Sequence, residues 1–89
     1  MISILIPSYN YNTLPLVEEL HSQAILENVV FEIIVQDDAS PENANKQINS
    51  EINKIANCRF ERNKVTLGRG QNRNSLVAKA NYSWLLFLH

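Results

Sequence analysis

Eighty-nine residues with a net charge of −1 make at most one small domain. A hydrophobic content of 45% is enough for a core and too much for a disordered segment, and the near-neutral balance leaves no broad electrostatic footprint for nucleic acid. Cys58 is the only cysteine, so the chain can form no internal disulfide and no cysteine-rich zinc cluster, a usage that suits a reducing, cytoplasmic setting.

Residues 2–6 (ISILI) are a nearly continuous apolar run, the composition of a strand buried on both faces in a parallel sheet. Pro7-Ser8-Tyr9-Asn10 ends it, because proline cannot donate to a ladder. The run is too short for a signal peptide, and no stretch approaches the ~20 apolar residues that span a bilayer. Thr13 as N-cap and Pro15 in the first turn open a helix predicted over about 14–27. Leu14, Val17, Leu20, Ala24 and Ile25 recur near helical spacing on it, and Asn28 helps to stop it. Residues 31–36 (FEIIVQ) are the second strand. One helical crossover separates the two strands, which makes them parallel neighbours.

Two adjacent acids, Asp37 and Asp38, leave that strand, and Ser40-Pro41-Glu42-Asn43 starts a second helix. Ala44, Ile48, Ile52, Ile55 and Ala56 form its apolar stripe, carrying it to about Asn57. Residues 58–61 (CRFE) alternate as a half-buried edge strand does. The loop 63–70 (NKVTLGRG) contains both glycines of the chain. A third helix over about 71–80 packs Leu76, Val77 and Ala80, and 84–88 (WLLFL) is apolar enough for a central strand, with Tyr82 and Trp84 as packing residues. The pattern βαβαβαβ predicts a Rossmann-like, open, mostly parallel α/β sheet. Domains rarely stop on the last residue of a buried strand, so the chain reads as the N-terminal piece of something longer.

In such a sheet the loops that leave the strands' carboxyl ends converge on one crevice. Asp38 at a strand end can accept hydrogen bonds from a base or a ribose; equally, either acid can simply organise the turn before Ser-Pro. The pair together with the PSYN loop favours the ligand. Gly68 and Gly70 allow a sharp turn or a close backbone approach, and Arg69 and Arg73 carry guanidinium groups suited to phosphate. GRG is not a Walker loop, and the first strand lacks the glycines of a dinucleotide fingerprint. Cys58 reads as core, and His21, in mid-helix, as a surface or interface residue.

The motifs IxILIPSYN, FEIIVQDDAS, LGRGQNRN and WLLFLH, in this order and spacing, resemble the N-terminal half of family 2 glycosyltransferases, enzymes of the GT-A fold that use nucleotide-sugar donors. The resemblance covers essentially the whole chain and implies a partial GT-A domain that binds the donor nucleotide. It implies that Pro7, Tyr9 and Asn10 line the base, that Asp38 bonds the base or ribose, that Gly68 and Gly70 bring in the third helix, and that Arg73 and Asn74 close the pocket; Asp37 is then left to brace the turn or help position the pocket. It further implies a UDP-sugar before other donors, a glycan or lipid acceptor, inverting transfer, a role in cell-envelope polysaccharide, lipopolysaccharide or glycolipid synthesis, and Mg²⁺ or Mn²⁺ on the diphosphate. The metal is expected in the full-length protein and not on these 89 residues, which alone would not turn over. The sequence departs from the family pattern at His89, which stands where the first metal carboxylate is usual. It departs again at Tyr82, which stands where glycine is usual and leaves Asn81 to take a left-handed position.

Two other readings compete. A receiver-type signalling module also has an acidic pair, but there the pair follows the first strand, which here ends in Pro7-Ser8. A non-catalytic nucleotide-binding fragment would self-associate through exposed sheet surface into a homo-oligomer.

Overall fold

The computed structural model describes residues 1–41 and 44–88. Glu42 and Asn43, read above as part of a helix start, and His89, read as a metal position, lie outside the described residues. Four strands, β1 (Ile2–Ser8), β2 (Phe31–Asp37), β3 (Cys58–Arg62) and β4 (Trp84–Phe87), form one sheet in the order β3-β2-β1-β4. Each neighbouring pair is parallel. Three helices, α1 (Leu14–Leu26), α2 (Ala44–Asn49) and α3 (Arg69–Lys79), join them in the Rossmann-like α/β arrangement.

The alternation of side chains along the strands assigns the two faces. Ile4 and Ile6 of β1, Phe31, Ile33 and Val35 of β2, and Cys58 and Phe60 of β3 pack with Val17 of α1 and with Ile52. Leu5 and Ile34 point the other way, onto Leu76 of α3. Each fully buried aliphatic side chain here contributes ~1.5–3 kcal/mol by leaving water. The chain builds outward from β1 through β2 to β3, then crosses back to place β4 on the other side of β1. That reversal is a topological switch point, and the crevice at such a point lies beyond the strands' carboxyl ends.

Several local outcomes differ from the sequence expectation. Pro7 lies inside β1, opposite Gln36, rather than ending the strand. The amide of Asp38 donates to the Ser8 carbonyl and that of Leu88 to the Leu5 carbonyl, so even positions of β1 face β2 and odd ones face β4. The N–H that proline lacks would have pointed past the end of β4, where no ladder needs it. The second helix stops at Asn49 and becomes a 3-10 turn, Ser50–Lys54, instead of running to Asn57. Asparagine side chains explain this by bonding elsewhere. Asn49 turns inward, and Asn53 receives the Phe60 amide at 2.9 Å. Asn28 and Asn57 adopt left-handed φ of 56° and 66°, closing the segments before β2 and β3.

β4 is an edge strand among the described residues, not a central one, and Trp84 is 76% exposed rather than packed. The turn before it needs no left-handed residue at Asn81 or Tyr82. Glu32 instead accepts from the Asn81 amide at 2.6 Å and its side chain at 2.8 Å, while Tyr82 donates to Ser3 Oγ. Burial alone would push the Glu32 carboxyl up, but bonds from Ser3 and Asn81, with Arg59 nearby, bring it below its ordinary value.

Candidate functional site

The turn leaving β2 is held by Asp37. Its Oδ2 accepts from the Ser40 amide at 2.8 Å and the Ser40 hydroxyl at 2.7 Å, and its Oδ1 receives the Asn10 amide at 3.4 Å. Arg62 donates to the Ser40 carbonyl through both Nε and Nη2, and its Nε lies 3.9 Å from Asp37. Between the two acids and Ser40, Ala39 takes a left-handed φ of 61°, which a residue with a Cβ adopts only when its surroundings over-determine it.

Asp38 reaches the other way. Its Oδ1 accepts from the Leu67 amide at 2.7 Å and from Asn63 Nδ2 at 2.9 Å, and its Oδ2 from the Gly68 amide at 3.0 Å. Burial pushes its carboxyl up; the three donors outweigh that and hold it below the ordinary value. A carboxylate offers about four lone-pair sites, so Asp38 keeps one acceptor direction, on Oδ2, beyond those the protein fills. Gly68 supports this geometry with φ of 88°, a conformation that suits only glycine, at the entry to α3.

The loop after β1 is stitched to α2. Asn49, buried, receives both the amide and the hydroxyl of Thr13 at 2.8 and 3.0 Å, and donates to the Tyr11 carbonyl at 2.7 Å. Thr13 thus occupies the N-cap position of α1 without capping it through its side chain.

These elements enclose a cavity of about 610 Å³ at the carboxyl end of the sheet. Its lining comes from Pro7, Ser8 and Tyr9 at the exit of β1, Asp38 at the exit of β2, Thr66 of the loop after β3, and Arg69, Asn72 and Arg73 of α3. Ser8 Oγ is buried and has no partner among the described residues. The Arg73 guanidinium lies 4.2 Å over the Phe87 ring, a cation–π contact that ties α3 to β4 and fixes where that charge sits. The wall therefore offers an open carboxylate acceptor, an orphaned hydroxyl and two guanidinium groups, with the exposed Tyr9 ring at the rim. That set complements a ligand with an N–H edge, a flat face and anionic oxygens.

Of the residues singled out from the sequence, Pro7, Ser8 and Tyr9 of the PSYN loop, Asp38, Arg69 and Arg73 line the cavity. Asn10, Asp37, Gly68, Gly70 and Asn74 are absent from its described lining. Asp37 braces the turn and Gly68 shapes the entry to α3, whereas Gly70 sits within α3 with open space around its α-carbon. Thr66 and Asn72 were not foreseen; helical spacing from Arg69 to Asn72 and Arg73 was the available signal. Cys58 is buried, and burial raises its thiol to about 11, which leaves it protonated and unreactive at neutral pH. His21 packs edge-on against Phe31 at 5.6 Å.

Among the described residues no group of three or more His, Cys, Asp or Glu side chains could hold a metal ion. Within the cavity wall Asp38 is the lone carboxylate, and three of its acceptor sites are filled. The described residues do not make a centre for the divalent cation expected above.

The family model described as Glycosyl transferase family 2 matches residues 3–89. No curated protein matches the chain. Residues 1–349 of TarS from S. aureus, in a complex with UDP, are 27% identical over 98% of this chain and 26% of that one, with a TM-score of 0.74. Longer TarS is 23% identical over 98% of this chain and 16% of its own, with a TM-score of 0.65. The mannosyltransferase PcManGT from Pyrobaculum calidifontis, in a complex with GDP-Man and Mn²⁺, is 20% identical over 90% of this chain and 24% of its own, with a TM-score of 0.61. The chain thus spans about a quarter or less of these proteins.

Proposed function

Because the chain belongs to glycosyl transferase family 2, we propose that its cavity holds the nucleoside diphosphate portion of a nucleotide-sugar donor, with UDP the first choice. The observation that carries this reading is that Asp38, Ser8, Arg69 and Arg73 line one cavity. Asp38 Oδ2 takes an N–H of the base or a ribose hydroxyl, Tyr9 packs on the base, and the two guanidinium groups take the phosphate oxygens. Ser8 Oγ finds in the ligand the partner it lacks in the protein. The UDP complex of the TarS relative supports the choice of ligand.

The wider activity follows the same reading: inverting transfer of the sugar to a glycan or lipid acceptor, in the cytoplasm or at the inner face of the membrane. The described residues place neither an acceptor site nor a catalytic base. What this chain does is bind, orient and neutralise. Its two cationic groups offset charge on the nucleoside diphosphate, which is the leaving group of the transfer.

Isothermal titration of the intact protein with UDP, GDP and ADP tests the reading. A nucleoside diphosphate binds, and Arg73→Met weakens it by about tenfold, the loss of one charge-assisted pair. If none of the three nucleotides binds, the reading falls.

The open edge of β4, with Trp84, Leu85 and Leu86 exposed beside it, supports a second reading: two copies pair through this edge. Sedimentation at ~100 µM, where interfaces of this strength show, gives a mass above the monomer; a monomer throughout would remove the reading.

A further inference from the structure

From behind the cavity wall a chain of polar side chains reaches two residues of its lining, Asp38 and Asn72. Lys79, at the end of α3, donates to Gln36 Oε1 at 2.6 Å. Gln36 Nε2 donates to Asn63 Oδ1 at 2.5 Å, and Asn63 Nδ2 donates to Asp38 Oδ1 at 2.9 Å and to Asn72 Oδ1 at 2.8 Å. Asn72 Nδ2 closes a loop by donating to the Gln36 carbonyl at 3.1 Å. Gln36 and Asn72 are each 2% exposed, so water cannot readily replace a misdirected bond.

The two ends of this chain have fixed chemistry. An ammonium only donates and a carboxylate only accepts, whereas each carboxamide between them can present its oxygen or its nitrogen to either side. With Lys79 on Gln36 Oε1, the Gln36 amide hydrogens must face Asn63. Asn63 must then offer its oxygen to Gln36 and its nitrogen to Asp38 and Asn72. Reversing Gln36 sets N–H against ammonium at Lys79 and oxygen against oxygen at Asn63; reversing Asn63 sets N–H against N–H at Gln36 and oxygen against oxygen at Asp38 and Asn72. Both Asp38 and Asn72 belong to the cavity wall; Lys79, Gln36 and Asn63 do not.

We propose that Lys79 is a positioning residue of the nucleotide site, setting the direction of the Gln36–Asn63 carboxamide chain that presents Asp38 and Asn72 to the cavity. This rests on the nucleotide reading above. Directed this way, Asn63 fills Asp38 Oδ1 and leaves the open site on Oδ2. Reversed, Asn63 turns an oxygen toward the carboxylate and forces Asp38 off the amides of Leu67 and Gly68. Glu61, 3.4 Å from Lys79 Nζ, keeps the ammonium in place from β3.

Gln36→Glu separates this role from plain support of the fold. The new carboxylate at position 36 accepts from Lys79 as an ion pair, but it has no hydrogen for Asn63 Oδ1. Thermal stability of the intact protein falls with the loss of that buried bond, and UDP affinity, read well below the melting temperature, falls about tenfold, the effect of one misdirected buried hydrogen bond. Lys79→Met loses affinity in the same direction, and Lys79→Arg, again a pure donor, restores it. Affinity unchanged in Gln36→Glu or Lys79→Met overturns the proposal, as does Lys79→Arg failing where Lys79→Met fails. The side-chain carboxamide NMR signals of Gln36 and Asn63, read without nucleotide, give an independent test. They shift in Lys79→Met and hold in Lys79→Arg if the chain is directed by the ammonium; signals that ignore Lys79→Met overturn it. Wild-type protein that binds no nucleotide while these signals do shift would sink the nucleotide reading and leave the directed chain standing.

Discussion

The carboxyl end of β2 and the whole of β4 are both built around apolar strand residues, yet they live in opposite surroundings. β2 is flanked by β1 and β3, and from Ile33 to Asp37 no residue exceeds 2% exposure. Where it ends, two carboxylates and a carboxamide are each tied to named partners on the loops around them. Among the described residues β4 has one neighbour, and three of its four residues are more than a third exposed. Composition makes both segments strands. Position in the strand order then decides which of them is rigid enough to aim side chains, since a group held by packing on two sides and by hydrogen bonds at its tip has no alternative place to go.

Substitutions of matched chemistry sharpen the contrast. Leu5→Ala, in the centre of the sheet at 0% exposure, is expected to destabilise by ~2–5 kcal/mol, the range for a core leucine. Leu85→Ala, on the same face at 39% exposure, is expected to cost less than ~1 kcal/mol. Urea denaturation of the two proteins measures both, and equal losses would mean that β4 is covered in solution.

Asp38→Asn comes next. An amide cannot accept from all three donors, so at least one buried N–H is left facing another, costing ~1–3 kcal/mol. The dependence on pH has a definite sign. The Asp38 carboxyl titrates below its ordinary value of 3.8 in the folded chain, so its stabilisation is complete above that value and disappears as the pH falls through the lower, folded one. Glu32 acts in the same direction. Stability measured against pH should therefore fall on the acid side in the wild type and fall less steeply in Asp38→Asn; parallel curves would mean that Asp38 is not held as described.

The smallest effect belongs to β4. Trp84→Ser, at 76% exposure, is expected to leave monomer stability within ~0.5 kcal/mol, while lowering the sedimenting mass at high concentration. A change in stability with no change in mass would reverse the roles assigned to this strand.

The order of elements, the parallel sheet and the convergence of the β1 and β2 exits were legible in the sequence, because apolar runs of four to six residues separated by helical stripes admit few topologies. Asp38 was legible as a residue of the cavity wall because it follows a buried strand. That the two acids have different jobs was legible as well; the partners that hold each of them needed coordinates: Ser40 and Asn10 for Asp37, Leu67, Gly68 and Asn63 for Asp38. Gln36 gave no warning at all. A carboxamide at the end of an apolar strand looks like a boundary until Lys79, distant in sequence, is found against it. Trp84 misled for the converse reason, since an apolar side chain carries no mark of whether a neighbouring strand is present.

The most direct test is a crystal structure of the protein grown with UDP. Density is expected in the cavity, with a base N–H or ribose hydroxyl on Asp38 Oδ2, phosphate oxygens between Arg69 and Arg73, and Asn63 still donating to Asp38. UDP bound elsewhere on the molecule, or bound here with its phosphates away from both arginines, would contradict the proposed site.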